Sequence, residues 1–251
     1  MKENLIKYAH TIGISLTDSQ AGLFEQYMRI LQQQNEHTNL TAIRDEDGIL
    51  SKHFLDSLSV AQAIPKGAKT LIDVGSGAGF PGIPIKIARP EITMKLVESV
   101  GKKADFTKLV IHTLGLENIQ TLNTRAEDLA QDPVYRETFD VATGRAVANL
   151  STLLEYTLPF LKIGGLFIAQ KKTSSHTDNT STNTDSSEDN EIESAKNALD
   201  VLGGTIKSII PITLPTETGE TLGRQLIIIE KIRETPKEYP RRIGKPLKKP
   251  L

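Results

Sequence analysis

The 251-residue chain contains no cysteine. Disulfides, cysteine-ligated zinc, iron–sulfur clusters and a cysteine nucleophile are thereby excluded. The opening stretch, MKENLIKYAHTIGISL, lacks the continuous apolar core of a signal peptide, and no segment approaches the ~20 apolar residues of a membrane span. The sequence therefore reads as a soluble, cytoplasmic protein with no membrane partner. A net charge is nearly lacking too, at -1 over the whole chain, yet that balance hides segregation. Residues 173–190, TSSHTDNTSTNTDSSEDN, carry four acidic residues and no lysine or arginine, whereas residues 231–251 carry eight basic and two acidic ones. The basic end can neutralise phosphates or serve merely as a solvated tail, and charge alone leaves both readings open.

What is present suggests one large α/β domain with a small extension: 38% of residues are hydrophobic. Phe24, Tyr27, Met28 and Leu31 follow helical spacing within 17–34, and Thr17 with Gln20 resembles a capping box. A second amphipathic segment at 46–62 places Leu50, Phe54, Leu55 and Leu58 on one face; its His53 and Asp56 read more as structural or capping groups than as a catalytic pair. From residue 68 strands alternate with helices, at 69–74, 93–98, 118–122, 139–143 and 165–170. A helix at 191–202 precedes two apolar runs, 205–213 and 225–232, expected to pair antiparallel and close the sheet. This rhythm predicts βαβ units and a mostly parallel sheet. The expected division is a helical extension at 1–67, a catalytic-type domain at 68–232 and a basic tail at 233–251. Segment 173–190 is too polar to order itself and reads as an inert loop insertion.

The stretch LIDVGSGAGFPGIP at 71–84 holds four glycines within eight residues. That density is costly for a mere connector and points to close approach of backbone to a ligand. It lacks the lysine of a phosphate-binding P-loop, since Ile83 follows Gly82, and lacks the glycine of a nucleophile elbow, since Val74 stands two residues before Ser76. GAGFPG at 77–82 matches the dinucleotide pattern nominally, with Glu98 placed to accept ribose hydroxyls. The fuller register Asp73-x-Gly75-x-Gly77-x-Gly79 resembles the first motif of class I S-adenosylmethionine-dependent methyltransferases. Seven strands with a terminal antiparallel pair favour that reading over a nicotinamide-dependent (NAD) oxidoreductase, for which no hydride-transfer residues are found; a tight turn without a ligand is the bland alternative. Ala126, Glu127 and Asp128 follow the third strand, where this fold meets adenine, or they simply open a helix. Arg145 follows the fourth strand at the carboxyl edge, where substrate and cofactor meet, or is a lone surface arginine.

The acceptor narrows by elimination. Methylation at pyrimidine C5 commonly needs a cysteine, and exocyclic amines commonly need an Asp/Asn-Pro-Pro-aromatic motif where this chain reads TGRAVA. Guanine N7 asks least: its lone pair has no proton to lose, so positioning suffices and no general base is expected.

Eight stretches together resemble the RsmG (glucose-inhibited division protein B) family of bacterial 16S rRNA N7-guanosine methyltransferases: NLTAI at 39–43, KHFLDSL at 52–58, DVGSGAGFPGIP at 73–84, VESVGKKADF at 97–106, RAED at 125–128, GRAVANL at 144–150, LKIGG at 161–165 and YPRRIGKPLKKPL at 239–251. The resemblance implies a Rossmann-like seven-stranded sheet, S-adenosylmethionine as cofactor, and a guanosine in the 530 loop of 16S rRNA, near the decoding site, as target. It implies Gly75, Phe80, Ala126, Glu127 and Arg145 as cofactor contacts, beside the pattern-based Asp73, Gly77, Gly79 and Glu98. His53, Arg241, Arg242, Lys245, Lys248 and Lys249 are candidates for RNA contact. The partner implied is 16S rRNA or the small ribosomal subunit, engaged by a monomer, with no metal. A non-catalytic assembly factor of the same fold, or a methyltransferase acting on a small molecule or protein, remains the alternative. The 173–190 insertion departs from the family pattern and touches only the loop near Lys171 and Lys172.

Overall fold

A computed structural model describes residues 1–145, 148–173 and 191–251. Two helices lead, α1 (Lys2–Thr11) and α2 (Asp18–Thr38). The capping box at the start of α2 forms: the Gln20 amide donates to the Thr17 hydroxyl and the Gln20 side chain accepts from the Thr17 amide. The segment expected as one amphipathic helix is instead composite, α3 (Glu46–Ile49), a π-helical turn at Leu50–Leu55 and α4 (Asp56–Ala61). It is buried on nearly every side, because its polar residues bond within the segment: Ser57 Oγ donates to the His53 carbonyl at 2.6 Å and Ser59 Oγ to the Asp56 carbonyl at 2.6 Å. A one-face pattern in sequence cannot show such internal satisfaction.

The seven expected strands form one sheet: β1 (Thr70–Val74), β2 (Thr93–Val97), β3 (Ile119–Leu122), β4 (Phe139–Gly144), β5 (Leu161–Lys172), β6 (Gly204–Pro215) and β7 (Thr221–Lys231), in the order β3-β2-β1-β4-β5-β7-β6. Strands β1 to β5 pair in parallel, and β7 enters antiparallel between β5 and the edge strand β6. Side chains alternate between two buried clusters. Leu71, Val141, Ile168 and Ile228 face the side covered by α2 and α4, whereas Ile72, Ala142, Ala169 and Ile229 face the side covered by α8 (Leu150–Thr157) and α9 (Lys196–Leu202). Both faces are thus covered, as parallel sheets require. The N-terminal helices contribute Phe24, Tyr27 and Leu31 to the same cluster as Leu71 and Val141. The remaining helices are α5 (Gly82–Ala88), α6 (Gly101–Thr113), α7 (Ala126–Leu129) and, near the C-terminus, α10 (Lys245–Lys248). No helix among the described residues is long and apolar enough to cross a membrane. Of the acidic insertion, residues 174–190 lie outside the described residues.

The basic C-terminal stretch is a correction to the charge-based reading. It is not a free tail: its backbone and Arg241 are docked along α8, while Arg242, Lys245, Lys248 and Lys249 stay exposed. Arg136 donates to the carbonyls of Thr235 and Tyr239 at 2.7 and 2.9 Å, and Thr152 Oγ1 donates to the Pro246 carbonyl at 3.1 Å.

Candidate active site at the carboxyl edge of the sheet

The sheet order reverses between β1 and β4, and such a switch point opens a crevice beyond the strand ends. The glycine loop fills the turn from β1 to α5. Gly75, Gly77 and Gly79 have φ of +72°, +58° and +96°, conformations costly for other residues. Gly79 and Gly82 answer to close packing as well. A Cβ at Gly79 would lie 2.5 Å from Ile83 Cδ1 and 2.8 Å from the Tyr27 hydroxyl, and one at Gly82 would lie 2.3 Å from Leu96 Cδ2. At Gly77 a Cβ would meet nothing within 4 Å, so that side of the loop is open.

Two carboxylates hold the loop. Asp73 is fully buried, accepting from the Gly82 amide at 3.0 Å and from Thr143 Oγ1 at 3.2 Å. Burial raises its pKa to about 7 against the pull of those two bonds. Its side chain therefore stays inside, organising the loop from behind. Glu98 accepts from the Gly77 amide at 2.9 Å and the Val100 amide at 2.7 Å, tying the loop to the end of β2. An ionised carboxylate has about four acceptor positions, so Glu98 keeps capacity for ribose hydroxyls.

Beside the loop a cavity of about 180 Å³ is lined by Gly75, Ser99, Arg125, Ala126, Glu127 and Tyr156, with Leu247 closing it from the C-terminal segment. This is below the ~300–1,000 Å³ of pockets for drug-sized ligands and suits a nucleoside end rather than a whole cofactor. The loop's open face, a carboxylate at the end of β2 and a small cavity beyond β3 fit the adenosyl part of S-adenosylmethionine. Ser76 Oγ, buried in the loop, has no hydrogen-bond partner among the described residues. Glu127 opens α7 and accepts from the Gly244 amide at 3.0 Å. Burial, with the negative charge of Glu127 nearby, pushes the Tyr156 hydroxyl pKa up to about 12.

Arg145 lies on the other side of β1. Its guanidinium donates to Asp56 Oδ2 at 2.9 Å, to the Lys52 carbonyl at 3.0 Å and to His53 Nδ1 at 3.1 Å, and lies 5.2 Å from the Phe80 ring centroid. His53 stacks on Phe80 at 4.5 Å and its Nε2 is 2.8 Å from Thr41 Oγ1. Because Arg145 can only donate, Nδ1 accepts and the proton sits on Nε2. Burial and Arg145 lower the His53 pKa to about 3, so the imidazole is neutral. Arg224 reaches Asp56 Oδ1 at 2.8 Å, which gives this buried carboxylate two guanidinium partners. Gln170 Nε2 also donates to Asp56, while Gln170 Oε1 is unpartnered among the described residues.

The structure thus gathers the sequence-derived residues into two groups. Gly75, Ala126 and Glu127 line the adenosyl-sized cavity, and Gly77 and Glu98 are bonded to each other in the adjoining loop; Arg145 and His53 form the second group with Phe80, whose ring packs into the core. Arg241 is not available to RNA phosphate. It forms a two-point pair with the fully buried Glu155, Nε to Oε1 at 2.9 Å and Nη2 to Oε2 at 2.6 Å. Arg242, Lys245, Lys248 and Lys249 are exposed. Asp56's second partner Arg224, Gln170, Tyr156 and Leu247 are not singled out from sequence, and Tyr27 is read there only as part of an apolar helix face. Each lies on an element remote from its partner, and only the His53 and Asp56 spacing gave a signal.

A family described as rRNA small subunit methyltransferase G matches residues 20–201 of the chain. The curated protein "Ribosomal RNA small subunit methyltransferase G" of Acetivibrio thermocellus is 44% identical over 251 residues, spanning 100% of this chain and 97% of that protein. A protein of the same name from Leuconostoc mesenteroides is 42% identical over 252 residues, spanning 99% and 98%. Among solved structures, a SAM dependent methyltransferase from Aquifex aeolicus aligns with a TM-score of 0.52 at 15% identity, covering 76% of this chain and 96% of that one. That last likeness concerns the fold.

Proposed function

The chain belongs to the rRNA small subunit methyltransferase G family, and from that premise we propose that its methyl acceptor is N7 of a guanosine in the 530 loop of 16S rRNA. It is an S-adenosylmethionine-dependent rRNA methyltransferase. The observation that carries this reading is identity of 44% along the whole chain to a curated rRNA methyltransferase. The small subunit or its 16S rRNA is the proposed partner, engaged by a monomer.

S-adenosylmethionine supplies an electrophilic sulfonium methyl group when bound. The chain's own residues bind and orient. Gly75, Gly77 and Ala126 offer close backbone approach, and Glu98 offers acceptors to the ribose. Arg145 is fixed by three acceptors and gives the edge of β4 a rigid cation where substrate meets cofactor. The titratable groups around Arg145 support an acceptor that carries no proton. His53 is neutral with both ring nitrogens engaged, and Asp56 is paired with two arginines. A guanine N7 lone pair asks neither of them to move a proton, so rate enhancement comes from proximity and orientation.

The test is transfer of labelled methyl from S-adenosylmethionine to small subunits lacking the modification, followed by mapping of N7-methylguanosine. One labelled guanosine in the 530 loop is expected. Labelling elsewhere in rRNA would keep the enzyme class and overturn the nucleotide.

A further inference from the structure

We propose that the docked C-terminal segment is a wall of the cofactor site, with Leu247 packing against the adenine. This rests on the S-adenosylmethionine reading above and adds a cofactor contact on a segment whose lysines and Arg242 are candidates for RNA contact.

Leu247 lines the adenosyl-sized cavity together with Gly75, Ala126 and Tyr156, yet it is 60% exposed. A large apolar side chain left open beside a cavity, within a stretch otherwise of lysine and proline, gains burial when an aromatic base enters. The segment is also held in place. Arg241 pairs at two points with Glu155, a carboxylate with no exposed surface, and donates to the Lys249 carbonyl at 2.8 Å. Removing Arg241 would strand a buried charge, so undocking is costly. Two further bonds flank Leu247: the Gly244 amide to Glu127 and Thr152 Oγ1 to the Pro246 carbonyl. Glu127, which lines the cavity, thereby joins it to the segment. The exposed Lys245, Lys248 and Lys249 lie on the same stretch, so one short helix presents leucine to the cleft and cations to solvent.

The experiment measures binding of S-adenosylhomocysteine and of adenosine to the full chain by titration calorimetry, without RNA, for the wild type, Leu247→Asp and the double variant Lys248→Ser/Lys249→Ser. Leu247→Asp is expected to weaken both ligands by a similar factor, on the order of tenfold, with the thermal unfolding of the ligand-free protein unchanged. The lysine variant is expected to bind both as the wild type does. Wild-type affinity in Leu247→Asp overturns the inference while leaving the function intact. Should Leu247→Asp unfold, Leu247→Ser carries the same expectation and the same overturning result. Failure of the wild type itself to bind S-adenosylhomocysteine would instead refute the cofactor assignment, and the inference with it.

Discussion

The Tyr27 hydroxyl donates to the Ala78 carbonyl, so α2 braces the glycine loop directly. Burial pushes the Tyr27 hydroxyl well above its ordinary pKa, and it therefore donates across the working pH range. Its ring stacks near Phe80 at 5.4 Å, next to the group that holds Arg145. The N-terminal helices thus support the loop from behind.

Tyr27→Phe keeps the ring and strands the Ala78 carbonyl. Leaving one buried acceptor unpaired costs ~1–3 kcal/mol. Urea unfolding is expected to show that loss, and calorimetry weaker S-adenosylhomocysteine binding, because Gly77 and Gly79 flank Ala78. Unchanged cofactor affinity beside a clear stability loss would confine Tyr27 to the core.

Arg145→Met removes both a fixed cation and the charge that helps hold His53 near pKa 3. The His53 pKa is expected to rise, though burial keeps it below 6.5, and NMR titration of the imidazole reads this directly. Methyl transfer is expected to fall on the order of 10²-fold through lost orientation. A His53 titration identical to that of the wild type would show that Arg145 does not sit against the ring.

Arg241 and Arg242 are neighbours in sequence with opposite expectations. Arg241→Ala leaves the buried Glu155 carboxyl without its guanidinium partner, a loss of about 3–5 kcal/mol. Arg242→Ala alters an exposed residue and is expected to change stability by less than ~0.5 kcal/mol. If Arg242 contacts a phosphate, its loss lowers the slope of log affinity against log salt by about 1. Equal stability losses in the two variants would contradict the docking of the segment.

Asp73 sets a pH dependence with a definite sign. Its carboxyl, ordinarily near 3.8, is held at about 7 in the fold, so folding takes up a proton between those values. The stability this contributes is full below pH 3.8 and lost as pH rises through 7. His53, lowered from 6.5 to about 3, slopes the other way: its contribution is full above pH 6.5 and lost as pH falls through 3. The informative quantity is therefore the difference between Asp73→Asn and the wild type. An amide keeps an acceptor for the Gly82 amide and a donor for Thr143. The variant's advantage in the cofactor-free protein is expected to grow from near zero at pH 4 to roughly 2–4 kcal/mol at pH 8. A difference independent of pH would place the Asp73 pKa at its ordinary value.

The alternation of strands and helices, the Thr17 capping box, the glycine loop after β1 and the acidic residue following β2 were legible in the amino-acid order. Each depends on residues a few positions apart or on the periodicity of one element, where backbone geometry and burial act locally. Which charges are paired inside the fold depended on long-range packing. Asp56 meets Arg224 across 168 residues and Glu155 meets Arg241 across 86. A count of charges treats every arginine of the C-terminal stretch alike. Desolvation does not: a carboxylate buried on α8 demands a partner, and the one that reaches it carries the rest of the segment, Leu247 included, to the edge of the cavity.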